Sequence, residues 1–229
     1  MRLMNLIKNE HMKLYYQRSG LISLIIAYAF TILAAIGQHL GSSSPALPYW
    51  DSTSHVLQIF IQIFMMISMI IAIHIISREY STGTIRLLLI RPLPRSWILL
   101  SKYIAILLYV LLGILGSIPL AMTIAGFTSG FEQWTYVEGL YAAMKLFVTK
   151  LFVFPFYIAL AFTVTVLTRH LGLSLMITIL FFAFTVSFVP VIPGMSLLIS
   201  YLFWTLVHAT FLIIGWRAFE QQEILRREE

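Results

Sequence analysis

Six stretches of this chain, near residues 20–40, 56–76, 98–126, 147–168, 172–189 and 196–216, are apolar for about the length of a bilayer crossing and hold almost no charge. A water-soluble domain has nowhere to bury that many greasy segments. Composition agrees: 60% of the 229 residues are hydrophobic and 10% charged, against roughly 45–50% and 25% in ordinary soluble domains. The fold class expected is all-α, a polytopic membrane protein with about six transmembrane helices. The first stretch is too long for a signal peptide and lacks a small-residue cleavage site, so it reads as a retained span. With no cysteine, disulfide and thiolate chemistry are excluded.

The net charge of +6 is informative through its placement. With the N-terminus in the cytoplasm, six crossings put 13 of the 15 Lys and Arg inside and only Lys145 and Lys150 outside, a strong positive-inside bias. Both termini are therefore expected in the cytoplasm. The basic excess speaks for anionic headgroups and membrane lipids as partners, with no nucleic acid.

The domain plan is residues 1–18 as an amphipathic interface helix, 19–217 as the transmembrane domain with a cytoplasmic loop at 77–97, and 218–229 as a charged cytoplasmic tail. In the first segment Leu3, Met4, Ile7, Leu14 and Tyr15 gather opposite Asn5, Lys8, Asn9, Lys13 and Gln17, with Leu6 and Met12 breaking the pattern. Residues 41–51 read as an external loop ending in an interfacial Tyr49–Trp50 pair, and 127–146 as a second external segment. In the third span Gly113, Ser117, Ala121 and Ala125 recur every four residues, a stripe another helix can approach closely. The breaker-rich 189–195 reads as a short hairpin that either turns outside or dips into the membrane.

Chemistry-bearing residues are sparse. All nine carboxylates, Glu79 among them, fall in expected loops or tails, which disfavours coupling through a buried acid. His74 and His208 read as packing histidines, and no set of side chains has metal-ligand spacing. Gln58 and Gln62, with Met65, Met66 and Met69 continuing roughly the same side of the second span, suggest a substrate path, for which Gln58, Gln62, Met65 and Met69 are the candidates, with interhelical packing as the plain alternative. No P-loop, nucleophile elbow or zincin motif occurs, so the chain is expected to catalyse nothing and to bind no cofactor itself.

The most specific segment is Arg78-Glu-Tyr-Ser-Thr-Gly-Thr-Ile-Arg-Leu-Leu-Leu-Ile-Arg-Pro-Leu-Pro-Arg95, followed by Lys102. Residues 84–91 read as a short basic amphipathic helix, ended by Pro92 and suited to receive force from a docked partner. This pattern closely resembles permease subunits of bacterial type-2 ABC exporters, with Glu79, Gly83, Thr84, Arg91, Pro92 and Arg95 at the family's motif positions. The resemblance extends to length, span number and the amphipathic N-terminus. It implies a permease in the bacterial cytoplasmic membrane, paired with a second permease, identical or sister, and with two cytoplasmic ATPase subunits that hold ATP and Mg. It further implies that Glu79 and Arg86 make polar contacts with the ATPase. Family members of this size resemble the export and immunity permeases for bacitracin or lantibiotics, while others extrude sodium. An ion-coupled secondary carrier and a non-transporting scaffold or sensor are the alternatives.

Overall fold

The computed structural model of the chain describes residues 2–16, 18–41, 47–81, 95–130, 137–188, 206–207, 209–215 and 217. The protein is an all-α polytopic membrane protein. Its helices are α1 (Arg2–Tyr16), α2 (Ser19–Gly41), α3 (Tyr49–Ser81), α4 (Arg95–Ser129), α5 (Val137–Thr168) and α6 (Leu171–Phe188). By length and composition α2, α3 and most of α4 can each cross a bilayer, and α5 and α6 hold shorter apolar stretches at Val153–Thr168 and Leu171–Phe184. Of the expected sixth span at 196–216, residues 206–207 and 209–215 are described, and they are helical.

The helices overrun the expected spans, and the reasons are local. α3 begins seven residues before the expected 56, because the Pro48 carbonyl accepts the Ser52 N–H at 2.9 Å and opens the helix. Asp51 in its first turn and Arg78 in its last suit the helix dipole. At 33 residues α3 is about 50 Å long, well beyond a hydrocarbon layer of about 30 Å. Residues 77–81, assigned from sequence to the loop, are thus the end of α3, and 95–97 are the start of α4. The short helix expected at 84–91 and the hairpin at 189–195 lie outside the described residues. Of the segment expected at 127–146, residues 127–129 and 137–146 are helical: α4 runs to Ser129 and stops where Gly130, at φ 81°, donates its N–H to the Gly126 carbonyl at 3.1 Å. The corners between α1 and α2 and between α5 and α6 each turn on an arginine in left-handed conformation, Arg18 (φ 57°) and Arg169 (φ 54°). A residue with a β-carbon accepts that conformation at a cost.

The helices divide between two compact units: the first comprises Met1–Met12, Ser68–Leu107 and Val153–Glu229, the second Lys13–Ile67 and Leu108–Phe152. In the second unit, the small stripe of α4 does what its spacing predicts. Gly113 lies so close to the Phe64 ring and to Leu24 that a β-carbon there would collide with the ring. Ala121 packs with Ala35, Val56 and Leu57, and Ala125 with Tyr49 and Trp50. The aromatic pair assigned to the outer interface is therefore buried, with the Tyr49 hydroxyl donating to the Met122 carbonyl at 3.3 Å. A ladder of rings, Tyr15–Tyr109–Phe64–Phe60–Tyr28, runs through the same unit with centroid spacings of 5.0–6.3 Å. Two of its tyrosines end on backbone: Tyr28 donates to the Gly113 carbonyl at 3.0 Å and Tyr109 to that of Gly20 at 3.1 Å.

In the first unit, α5 and α6 are joined by a cluster in which Phe156 meets Phe181 and Phe211 while Tyr157 meets Phe182. Thr163 donates its hydroxyl both to its own helix at Ala159 and across to the Phe211 carbonyl at 2.8 Å. The Tyr103 hydroxyl of α4 donates to the Pro155 carbonyl at 3.0 Å, and its ring stands edge-on to Phe162.

Candidate functional site: a buried lysine at the root of the α3–α4 connection

Lys102 is the eighth residue of α4, within the largely apolar run Ile98–Tyr109. An ammonium group in that setting is expensive unless it is paired. It is paired twice: its Nζ donates to Glu10 Oε2 at 2.8 Å and to Glu79 Oε1 at 2.5 Å. The lysine side chain is 3% exposed and the two carboxylates 13% and 20%. One lysine thus binds α1 and the last turn of α3 to the first turns of α4, all within the first unit.

Each acid is delivered by its helix. Glu79 is held in place by the extension of α3 past 76, so the residue expected in a loop is on a rigid element. Glu10 belongs to the less exposed side of α1, with Leu3, Leu6, Ile7, His11 and Leu14 at three- and four-residue spacing. That side differs from the apolar side read from sequence. Leu6, which broke the expected pattern, is on it, and Met4, expected on the apolar side, is 75% exposed. Next to Glu79 in sequence, the Tyr80 hydroxyl is buried and has no hydrogen-bond partner among the described residues.

Glu79 lies in the last turn of α3 and Lys102 two turns into α4, so the cluster joins the two helices that flank residues 82–94 to each other and to α1. Between α4, α5 and the helical residues near 212 lies an apolar cavity of about 50 Å³ lined by Leu99, Leu100, Tyr103, Phe162, Val166 and Leu212. It is too small for a substrate and too apolar to hold water well. Among the described residues no three metal-ligating side chains come together.

Of the residues singled out from sequence, Glu79 is in the cluster and Arg95 is the first residue of α4. Gly83, Thr84, Arg86, Arg91 and Pro92 lie outside the described residues. The candidate path is split: Gln58 and Gln62 are on the exposed side of α3, whereas Met65 and Met69 are buried, at 5% and 1% exposure. Glu10 was missed and Lys102 was noted only as the end of a motif. A lysine inside a span needs an acid, and with N-terminal and loop acids few, Glu10 and Glu79 were the available partners.

Apolar helices of spanning length, packed through small residues, define an all-α polytopic membrane protein, and a charged cluster ties together the ends of α3 and α4. Residues 6–187 match the model of the ABC-2 family transporter protein, and the chain belongs to that family, as a permease component. A stretch of 45 residues is 56% identical to the uncharacterized protein YhcI of Bacillus subtilis (strain 168), covering 20% of this chain and 14% of that protein. The chain thus matches only a small part of that relative's length. No solved structure matches the chain.

Proposed function

We propose that the chain is the permease subunit of an ATP-driven exporter in the bacterial cytoplasmic membrane. It moves an amphiphilic substrate, such as an antimicrobial peptide, a drug or a lipid-like molecule, out of the cell. Both termini and the α3–α4 connection are cytoplasmic, in keeping with the positive-inside bias. Two ABC ATPase subunits hold ATP and Mg and drive the 82–94 segment, with Glu79, Gly83, Thr84, Arg86, Arg91, Pro92 and Arg95 as the coupling set. A second permease completes the complex.

The observation that carries this reading is the Glu10–Lys102–Glu79 cluster in a chain of the ABC-2 family. It supports force transmission because it fixes the roots of the connection to each other and to α1, while the charges satisfy one another and leave no site for a substrate. Gentle purification from membranes, with identification of associated chains and an ATPase assay, tests it. The expected outcome is a stoichiometric P-loop ATPase, lost when Arg86 and Arg91 are both changed to Glu. A chain that purifies alone and without ATPase activity overturns the reading.

One observation favours a second reading. A buried ammonium between two carboxylates is also the kind of group that ion-coupled carriers titrate. Export that continues without nucleotide and stops when the ion gradient is collapsed would favour that carrier.

A further inference from the structure

The cavity between α4, α5 and the helical residues near 212 is apolar in a strict sense: its walls hold no free donor. The Tyr103 hydroxyl donates to the Pro155 carbonyl, and the Thr163 hydroxyl to the Ala159 and Phe211 carbonyls. Gly215 lets the last helix press on α5, where a β-carbon would stand 2.8 Å from the Thr163 hydroxyl oxygen. Beside that close contact, between Leu99, Leu100, Val166 and Leu212, about 50 Å³ stays unfilled. An apolar cavity of about 150 Å³ takes a benzene ring. This half-open groove, a third of that size, has room for part of a slim methylene chain and for no ring.

Its depth is equally defined. Leu99 is the fifth residue of α4, Val166 is in the last turn of α5, and Gly215 stands two residues before Arg217. Those three helix ends are basic. Arg95 opens α4, Arg169 follows α5 directly, and Arg217 follows Gly215, with the Arg169 and Arg217 side chains exposed. None of residues 95–109, 153–170 and 206–217 is Asp or Glu. An apolar groove thus ends among arginines with no acid along its walls.

We propose that the groove holds one acyl chain of an anionic phospholipid of the inner leaflet, whose phosphate meets Arg169 and Arg217. Arginine extends its guanidinium toward the headgroups along an apolar stem, and its fork matches a phosphate. A zwitterionic lipid offers the same tails but sets an ammonium group among the arginines. The bound chain fills the gap in the seam that joins the last helix to α4 and α5, all within the first unit. The inference rests on the cytoplasmic placement of these ends and is independent of what the chain transports.

The full chain is purified from its membrane in mild detergent, and retained lipid is identified by extraction and mass spectrometry. Melting is then compared in nanodiscs of phosphatidylcholine alone and of phosphatidylcholine with phosphatidylglycerol. A stoichiometric anionic phospholipid is expected on the purified chain, and a higher melting temperature with phosphatidylglycerol. Leu212→Trp, at a half-buried wall position, fills the groove and is expected to abolish both effects while the chain still elutes as a folded species. Arg169→Gln with Arg217→Gln, both at exposed side chains, is expected to weaken retention about tenfold and decides the matter if Leu212→Trp does not fold. Retention unchanged by either variant means annular lipid only and overturns the proposal. Equal stabilisation in the two kinds of nanodisc overturns it as well, since the arginines would then select nothing.

Discussion

The second unit and the ends of α3 and α4 in the first unit hold their helices together by different means. In the second unit the polar contacts between helices are neutral and mostly end on backbone: Tyr28 on the Gly113 carbonyl, Tyr49 on that of Met122, and Tyr109 on that of Gly20 and on the Ser23 hydroxyl. Around them, small residues let α2, α3 and α4 approach closely. In the first unit, at the ends of α3 and α4, three ionised side chains do the joining. A carbonyl held in a helix has one position, and a ring pressed on a glycine has one fit. A lysine shared by two carboxylates holds three helices through charge instead. The difference sets neutral close packing in the second unit against a charged clamp at the ends that flank the α3–α4 connection.

The largest effect is expected at the hub. Lys102→Met keeps the length of the side chain and leaves two carboxylates facing apolar helix. Removing one partner of a buried ion pair costs about 3–5 kcal/mol, and the partial exposure of both acids puts this case at the lower end. A thermal melt of the purified protein, followed by size exclusion, should show it clearly less stable than the parent. A change below about 1 kcal/mol, the range of exposed ion pairs, would reduce the cluster to surface charge and dissolve the contrast between the units.

The two acids should then behave as substitutes. Glu10→Gln or Glu79→Gln alone leaves Lys102 with one carboxylate and an amide acceptor. Each is expected to cost about 1 kcal/mol. The double variant leaves a buried ammonium without a counter-charge, so its loss should exceed the sum of the singles by about 1 kcal/mol or more. A double-mutant cycle on melting free energies measures this. Strict additivity would mean that the acids bind Lys102 independently.

Gly113→Val probes the close packing. The added β-carbon meets the Phe64 ring and the branch meets Leu24, and overpacking of this kind costs about 1–3 kcal/mol. In contrast with the charge variants, its effect should be insensitive to salt, since no ion pair is touched. Melting in low and high salt checks that. A salt-dependent loss at Gly113→Val would break the distinction drawn here.

Which features were legible in the sequence follows the same division. Neutral close packing writes a pattern: the four-residue repeat from Gly113 to Ala125 is readable because small residues have no other reason to recur on a spanning helix. The all-α membrane fold was equally readable, because a bilayer imposes length and apolarity on every span. Helix ends were not. Nothing in the hydropathy of 77–81 distinguishes a loop from the overhang of a 33-residue helix, and Glu79 was assigned to the wrong kind of element for that reason. The charged cluster joins residues 92 positions apart, a pairing without periodicity. The α1 side that carries Glu10 and His11 was hidden because amphipathicity was read as apolar against polar, while the structure turns inward a side that includes both. The polar side of α3 was half seen: its glutamines and the exposed Met66 were singled out, but grouped with Met65 and Met69, which are buried one residue off the exposed steps.

The smallest expected effect is the most direct test of the close packing. Tyr109→Phe removes one hydroxyl that bonds the Ser23 hydroxyl at 2.7 Å and the Gly20 carbonyl at 3.1 Å, and keeps the ring that stands against Phe64 and Tyr15. The Gly20 carbonyl also accepts from Ser23 at 2.8 Å, so it is not orphaned. The loss should therefore be close to that of one net hydrogen bond, about 1 kcal/mol or less, seen as a small downward shift in melting with the elution profile unchanged. The ring, in contrast, is fully buried and fills the ladder, so Tyr109→Ala should cost about 3 kcal/mol or more. If the two variants lost the same amount, the hydroxyl rather than the packed ring would be holding α2 to α4. The second unit would then depend on polar contacts as much as the first.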